Sequence, residues 1–177
     1  MSKELTMNLH IKSKLVSIHH KMDILDDDDQ PVYHVSGKPI SLHDKTHITD
    51  LDGNEIASIH AKAVSIHHKY FVDMADGASF ELSEQLFHIK DIIDIPELGW
   101  QLRGSILAFE FQIVDAQERV LATAHRHIVS LHGVYDIKIL DESQIEKLLA
   151  VFVVINHIIA NRETAEASSS APPSANV

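Results

Sequence analysis

Cysteine is absent from this 177-residue chain, so no disulfide framework, thiolate metal site or cysteine nucleophile can be built from it. Positive charge is scarce. Fifteen Lys and Arg stand against 26 Asp and Glu, a formal net charge of −11, which argues against non-specific binding to nucleic acid or anionic lipid at neutral pH. The opening residues, MSKELTMNLHIKSK, hold no apolar segment of the kind a secretory signal needs. Lack of cysteine and lack of a signal together predict a cytoplasmic protein. There is no G-x-S-x-G elbow and no G-x-x-x-x-G-K-[ST] or G-x-G-x-x-G phosphate loop. These absences predict a protein that is not an enzyme and carries no cofactor.

What is present in excess is histidine. Protonation of all fourteen would carry the formal charge from −11 to +3, and free imidazole titrates near ~6.5. Many of them fall in a repeat. KLVSIHHKMDIL from Lys14, KPISLHDKTHIT from Lys38 and KAVSIHHKYFVD from Lys62 align without gaps at a spacing of 24 residues. The alignment puts Ser17, Ser41 and Ser65 in register, likewise His19, His43 and His67, and likewise Lys21, Lys45 and Lys69. Weaker echoes begin at Gln85 and at His127, the second recovering Ser130 and His132.

Each unit reads as a hairpin. Thr46 to Thr49 is rich in β-branched residues, Asp50 to Asn54 is turn chemistry, and Glu55 to Lys62 alternates apolar with polar residues. Further turns are expected at Asp26 to Gln30, Asp73 to Gly77, Pro96 to Gly99 and Asp115 to Arg119. Six hairpins make about twelve strands.

The closing segment, IEKLLAVFVVINHIIA from Ile145, has no Gly or Pro and almost no polar face. A helix apolar all round is buried, in a core or in a membrane. Sixteen residues at ~1.5 Å each fall short of the ~20 a bilayer needs, which predicts a core helix and no transmembrane span. Ser143 is the expected N-cap, with Glu142 and Glu146 near the positive end of the dipole. The fold class predicted is mainly β: an antiparallel barrel of about twelve strands, closed around a buried apolar helix at about 144–160. It is wide enough for a helix ~10–12 Å across. One domain spans 1–160, and the Ser/Ala/Pro-rich 161–177 is expected to be a disordered tail.

These features resemble the LURP-one-related family. The KxxS[IL]H repeats carry the resemblance, with DLDGNEIASIHAK (Asp50 to Lys62), the Gly99-Trp100-Gln101-Leu102-Arg103-Gly104 phrase and the apolar last helix. The resemblance implies a tubby-like fold, shared with phospholipid scramblases. Tubby domains bind phosphoinositides through a basic surface, whereas this chain is acidic and carries an Asp26-Asp27-Asp28-Asp29 run, so no phosphoinositide site is carried over.

Candidate surface or pH-responsive residues are His19, His20, His43, His67, His68, His132, Lys21, Lys45 and Lys69. A shared metal site among them is disfavoured. Equivalent positions in successive hairpins are two strands apart, about 9–10 Å, whereas zinc needs several ligands at ~2.0–2.1 Å. The lysines with Ser17, Ser41 and Ser65 could ring one barrel end as an anion site, but turn-forming serines and edge-protecting lysines explain them more simply. His157, beside Asn156, reads as a neutral, hydrogen-bonded core histidine. The function expected is a non-enzymatic binding or scaffold module with an unknown protein partner. The alternatives are a peripheral phospholipid-surface binder strengthened when histidines charge in acid, and an enzyme with an unrecognised site.

Overall fold

Period-two alternation becomes strand along nearly the whole chain. The computed structural model describes residues 7–13, 21–37, 45–64, 67–83, 92–126 and 134–169. Six strands come first: β1 (Met7–Ser13), β2 (Lys21–Leu25), β3 (Pro31–Ser36), β4 (Thr46–Thr49), β5 (Glu55–Val64) and β6 (His67–Met74). Six more follow: β7 (Ser79–Ser83), β8 (Ile92–Ile95), β9 (Trp100–Ser105), β10 (Glu110–Asp115), β11 (Val120–Arg126) and β12 (Val134–Ile139). Helix α1 (Ile145–Ser169) closes the chain.

Five tight turns share one geometry. In each, the N–H of the fourth residue donates to the carbonyl of the first: Asp29 to Asp26, Gly53 to Asp50, Gly77 to Met74, Gly99 to Pro96 and Glu118 to Asp115. The fourth residue has a positive φ each time. Glycine takes that position in three turns, while Asp29 and Glu118 adopt it despite their side chains. Three of the first residues are aspartates whose carboxylates accept backbone N–H groups across the turn: Asp26 from Asp28 and Gln30, Asp50 from Asn54, and Asp115 from Gln117 and Arg119. The acidic run at Asp26 is therefore turn-building chemistry in part.

All pairings are antiparallel, in the order β7-β6-β5-β4-β3-β2-β1-β12-β11-β10-β9-β8. The inward set includes Ile24, Val35, Ile48, Ile59, Val72, Leu82, Leu102, Ile113, Ala124 and Ile137. From Leu148 to Ile155 every residue of α1 is fully inaccessible. Phe152 packs on Phe111 with ring centroids 5.7 Å apart, Asn156 Nδ2 reaches Met22 Sδ at 3.8 Å, and Asn161 Nδ2 donates to Tyr70 Oη at 2.9 Å. The helix thus touches β10, β2 and β6, and the sheet curls around it. Each large apolar side chain so buried contributes roughly 1.5–3 kcal/mol.

Four expectations need correction. No closed barrel is found: among the described residues β7 pairs only with β6 and β8 only with β9. Glu81 of β7 and Asp94 and Glu97 at and beyond β8 line one cleft along this seam, and residues 84–91, which join the two strands, lie outside the described residues. Secondly, α1 runs nine residues past Ala160, into what composition suggested was a disordered tail. Extending an existing helix is cheap, and Asn161 to Ser169 contains Ala, Glu and Arg without Gly or Pro. Residues 170–177 lie outside the described residues. Thirdly, Ser143 lies inside a 3-10 turn at Glu142–Gln144 that precedes α1, and that turn is capped by Asp141, whose carboxylate accepts the Ser143 N–H at 3.1 Å. By length and composition alone, Glu142–Asn161 is enough to cross a membrane. The sixteen-residue length argument therefore fails, and burial inside the sheet takes its place.

Candidate functional site

Antiparallel alternation gives the sheet two ends. At one end lie the five tight turns, the start of β1 and the entry of α1. This end is acidic. It gathers Asp26, Asp50, Asp76, Asp115, Glu118 and Asp141, and the described cations Arg119 and Lys147 are each engaged by a carboxylate there. Arg119 Nε donates to Asp115 Oδ2 at 2.7 Å, and Lys147 Nζ to Asp76 Oδ2 at 2.8 Å. Burial pushes the Asp115 carboxyl up, but the Arg119 and Gln117 hydrogen bonds outweigh it and hold Asp115 below the usual range. Glu118 is held low chiefly by its Arg103 hydrogen bonds, and Arg103 is raised by the same contact. Hydrogen bonds from Asn54 and Lys147 lower Asp50 and Asp76 respectively.

At the opposite end β2, β4 and β6 begin. Lys21 heads β2, Lys45 immediately precedes β4, and His67 and His68 head β6. The topology therefore brings these repeat residues to one end on alternate strands, as the hairpin reading implies. Lys69, further along β6, donates from Nζ to Glu81 Oε1 at 2.8 Å. His19, His20, His43 and His132 lie outside the described residues, as do Ser17, Ser41 and Ser65. No group of three or more metal-ligating side chains is found among the described residues.

Sequence reading missed a set of cross-strand histidine–carboxylate pairs on the outer face. His34 Nδ1 meets Asp23 Oδ1 at 2.8 Å, His125 Nδ1 meets Glu110 Oε2 at 2.7 Å, and His47 is hydrogen-bonded to Glu55. His60 Nδ1 lies farther from Asp73, at 3.9 Å, and its ring stacks on Phe71. Lys62 Nζ stands 5.3 Å from the same Phe71 ring. The signal was available for two of them, because His34–Asp23 and His125–Glu110 are each nearly equidistant from the centre of their tight turn, whereas Glu55 stands opposite Thr49 and reaches His47 diagonally. His157 is different in kind. Buried in α1, its imidazole is pushed down to about 4 by desolvation, and the neighbouring Asn156 faces Met22.

Among the described residues, three open clefts accompany these features. Two flank Trp100, one of about 330 Å³ reaching Arg119 and Gln144, the other of about 390 Å³ bounded by Asp94, Gln101 and Glu118. The third, about 270 Å³, lies along the β7–β8 seam. Residues 7–156 match the model of one family, described as LURP-one-related. The chain belongs to the LURP-one-related family. A crystal structure of a protein from Arabidopsis thaliana is similar to it, with a TM-score of 0.52 and 14% identity, covering 86% of this chain and 93% of that one. At that identity the likeness speaks to the fold alone. No curated protein matches the chain. In this LURP-one-related protein the Gly99-Trp100 phrase builds a turn and a buried ring, Trp100 being 5% exposed, and the two larger clefts lie beside it.

Proposed function

We propose that this LURP-one-related chain is a non-enzymatic binding module that works through the outside of its sheet. One observation carries the reading: α1 fills the interior, with every residue from Leu148 to Ile155 inaccessible. The space a barrel-like fold would offer a small ligand is taken by the protein itself. What remains is an outer face of charged cross-strand pairs and an acidic turn end, suited to a cation-bearing partner. The architecture on this reading is tubby-like, twelve strands about a central helix, with its circuit completed at the β7–β8 seam. We place the protein in the cytoplasm.

Native mass spectrometry and cross-linking test this reading. The purified chain should carry no stoichiometric small molecule or metal. A partner captured from cell extract should cross-link to outer-face lysines such as Lys62 and Lys69. A stoichiometric metabolite or metal held by the folded chain would sink the proposal and reopen the enzymatic one.

A further inference from the structure

Where β9, β10, β11 and the entry of α1 meet, the acidic end of the sheet carries a cleft of about 330 Å³, near the small end of the ~300–1,000 Å³ range of ligand sites. Hydrogen bonds fix its walls. Trp100 opens β9 directly opposite Asp115, the last residue of β10. The Asp115 carboxylate holds the turn that follows, accepting the backbone N–H groups of Gln117 and Arg119 and the Arg119 Nε–H. On the far side the Leu121 carbonyl of β11 accepts the N–H groups of Leu140 and Asp141, at 2.8 and 3.2 Å, and so seats Asp141 ahead of α1. Trp100, Arg119, Asp141 and Gln144 line the space between.

Two polar groups in this lining are left for a ligand. Trp100 is 5% exposed, and a buried indole N–H ordinarily finds an acceptor. Among the described residues this one has none. Nor is it sealed off, because the sealed unpartnered atoms of the described residues are His60 Nδ1 and Asn161 Oδ1. The openings beside the ring are this cleft and the adjoining one. Asp141 is half used. Its Oδ1 accepts the Ser143 N–H at 3.1 Å and the Ser143 hydroxyl at 2.6 Å, while Oδ2 accepts from no described residue. Arg119 already answers Asp115, which leaves Asp141 as the unbalanced charge of the lining. A free donor beside an unbalanced carboxylate suits a ligand that joins a carbonyl to a cation. A lysine or arginine within a peptide is such a group.

Resting on the binding-module reading, we propose that this cleft is the anchor point for the protein partner and takes a lysine or arginine from it. The backbone carbonyl of that residue accepts the Trp100 indole N–H. Its cationic head meets Asp141 Oδ2, and the Gln144 side-chain carbonyl supplies a further acceptor.

Trp100 is the single tryptophan of the chain, so its indole N–H resonance in NMR reports this cleft alone. The test titrates the full chain with acetyl-Gly-Lys-Gly-amide at low ionic strength, with acetyl-Gly-Glu-Gly-amide as control. The lysine peptide should shift the resonance saturably, and the glutamate peptide should leave it in place. Asp141→Asn keeps an oxygen for Ser143 but removes the charge, and should weaken binding at least about fivefold. Asp28→Asn removes the same charge from an exposed turn elsewhere and should leave the affinity unchanged. An unmoved indole resonance overturns the proposal, as does an equal response to both peptides. Equal weakening by the two variants would mean diffuse attraction to an acidic end, and no weakening by Asp141→Asn would mean that its carboxylate is not the anchor; either overturns it. Free lysine matching the peptide would make the occupant a small molecule and overturns it too. Those results would leave the wider reading standing, because partner capture is read separately at the outer-face lysines.

Discussion

Gly104 of β9 lies against Glu110 so closely that a Cβ on Gly104 would stand 2.6 Å from the Glu110 carbonyl oxygen. The backbone there also has φ +126, outside the range of residues with side chains. Gly77 shares the second property, at φ +88, but has nothing within 4 Å of the same position. The two glycines separate backbone strain from steric exclusion. Gly77→Ala should cost about 1 kcal/mol. Gly104→Ala should cost roughly 3 kcal/mol or more, since the obstructing atom is backbone and the ladder to Phe111 must shift. Thermal melts check this at about 2–4 °C per kcal/mol for a chain of this size. Equal losses would show that the β9–β10 approach is looser than described.

Acid stability should be governed in its first stage by His157. Its folded value is about 4, depressed by burial, against an ordinary 6.5. Between those values the unfolded chain takes up a proton that the folded chain refuses, so stability falls as pH drops from about 6.5 and stops falling on this account below about 4. A shift of this size corresponds to ~3 kcal/mol. Urea unfolding of wild type and His157→Leu, at neutral pH and near pH 4, should show wild type losing about that much more. The turn carboxylates Asp50, Asp76, Asp115 and Glu118 are held low when folded, so their contribution is lost at still lower pH, and equally in both proteins. Parallel pH curves for the two proteins would contradict a buried neutral His157.

These two sites mark what the sequence could and could not disclose. Turn chemistry was legible because it is local: Asp50-Leu51-Asp52-Gly53 writes its carboxylate cap and its left-handed glycine into adjacent residues. The core helix was legible from Leu148 to Ile159, where no solvent-facing stripe exists. Its true end was not, because composition reports poor burial after Ala160 but not that an existing helix extends at little cost. The His34–Asp23 and His125–Glu110 pairs needed hairpin register, which follows only once the turn centres are fixed.

Phe152 provides the measure of α1 as core. It is fully buried, 5.7 Å from the Phe111 ring and 6.3 Å from the Phe109 ring. Phe152→Ala leaves a cavity that the sheet cannot fill from either side, and should cost about 3–5 kcal/mol. Phe152→Leu keeps most of the volume and should cost under about 2 kcal/mol. Denaturant midpoints decide between this and a detachable apolar helix destined for a bilayer. In the second case both substitutions would leave the stability of the soluble fold nearly unchanged.

The outer-face pairs bear on whether acid turns this surface toward lipid. If the histidines stood alone, protonation would create a cationic face on a chain that is −11 at neutral pH. His34, His47 and His125 instead each sit against a carboxylate, Asp23, Glu55 and Glu110. An imidazolium at any of these positions would be compensated by its carboxylate, so the pair would lose negative charge without presenting a lone cation. Exposed pairs of this kind are also screened by salt. Co-sedimentation with anionic and neutral vesicles, at pH 7 and about pH 5.5, should therefore show weak association that changes less than about threefold. Replacing Asp23, Glu55 and Glu110 together by the matching amides frees the imidazolium charges, and should raise binding to anionic vesicles at the lower pH alone. A steep, salt-sensitive rise in the unaltered protein would instead assign acid-driven membrane association to histidines outside these pairs.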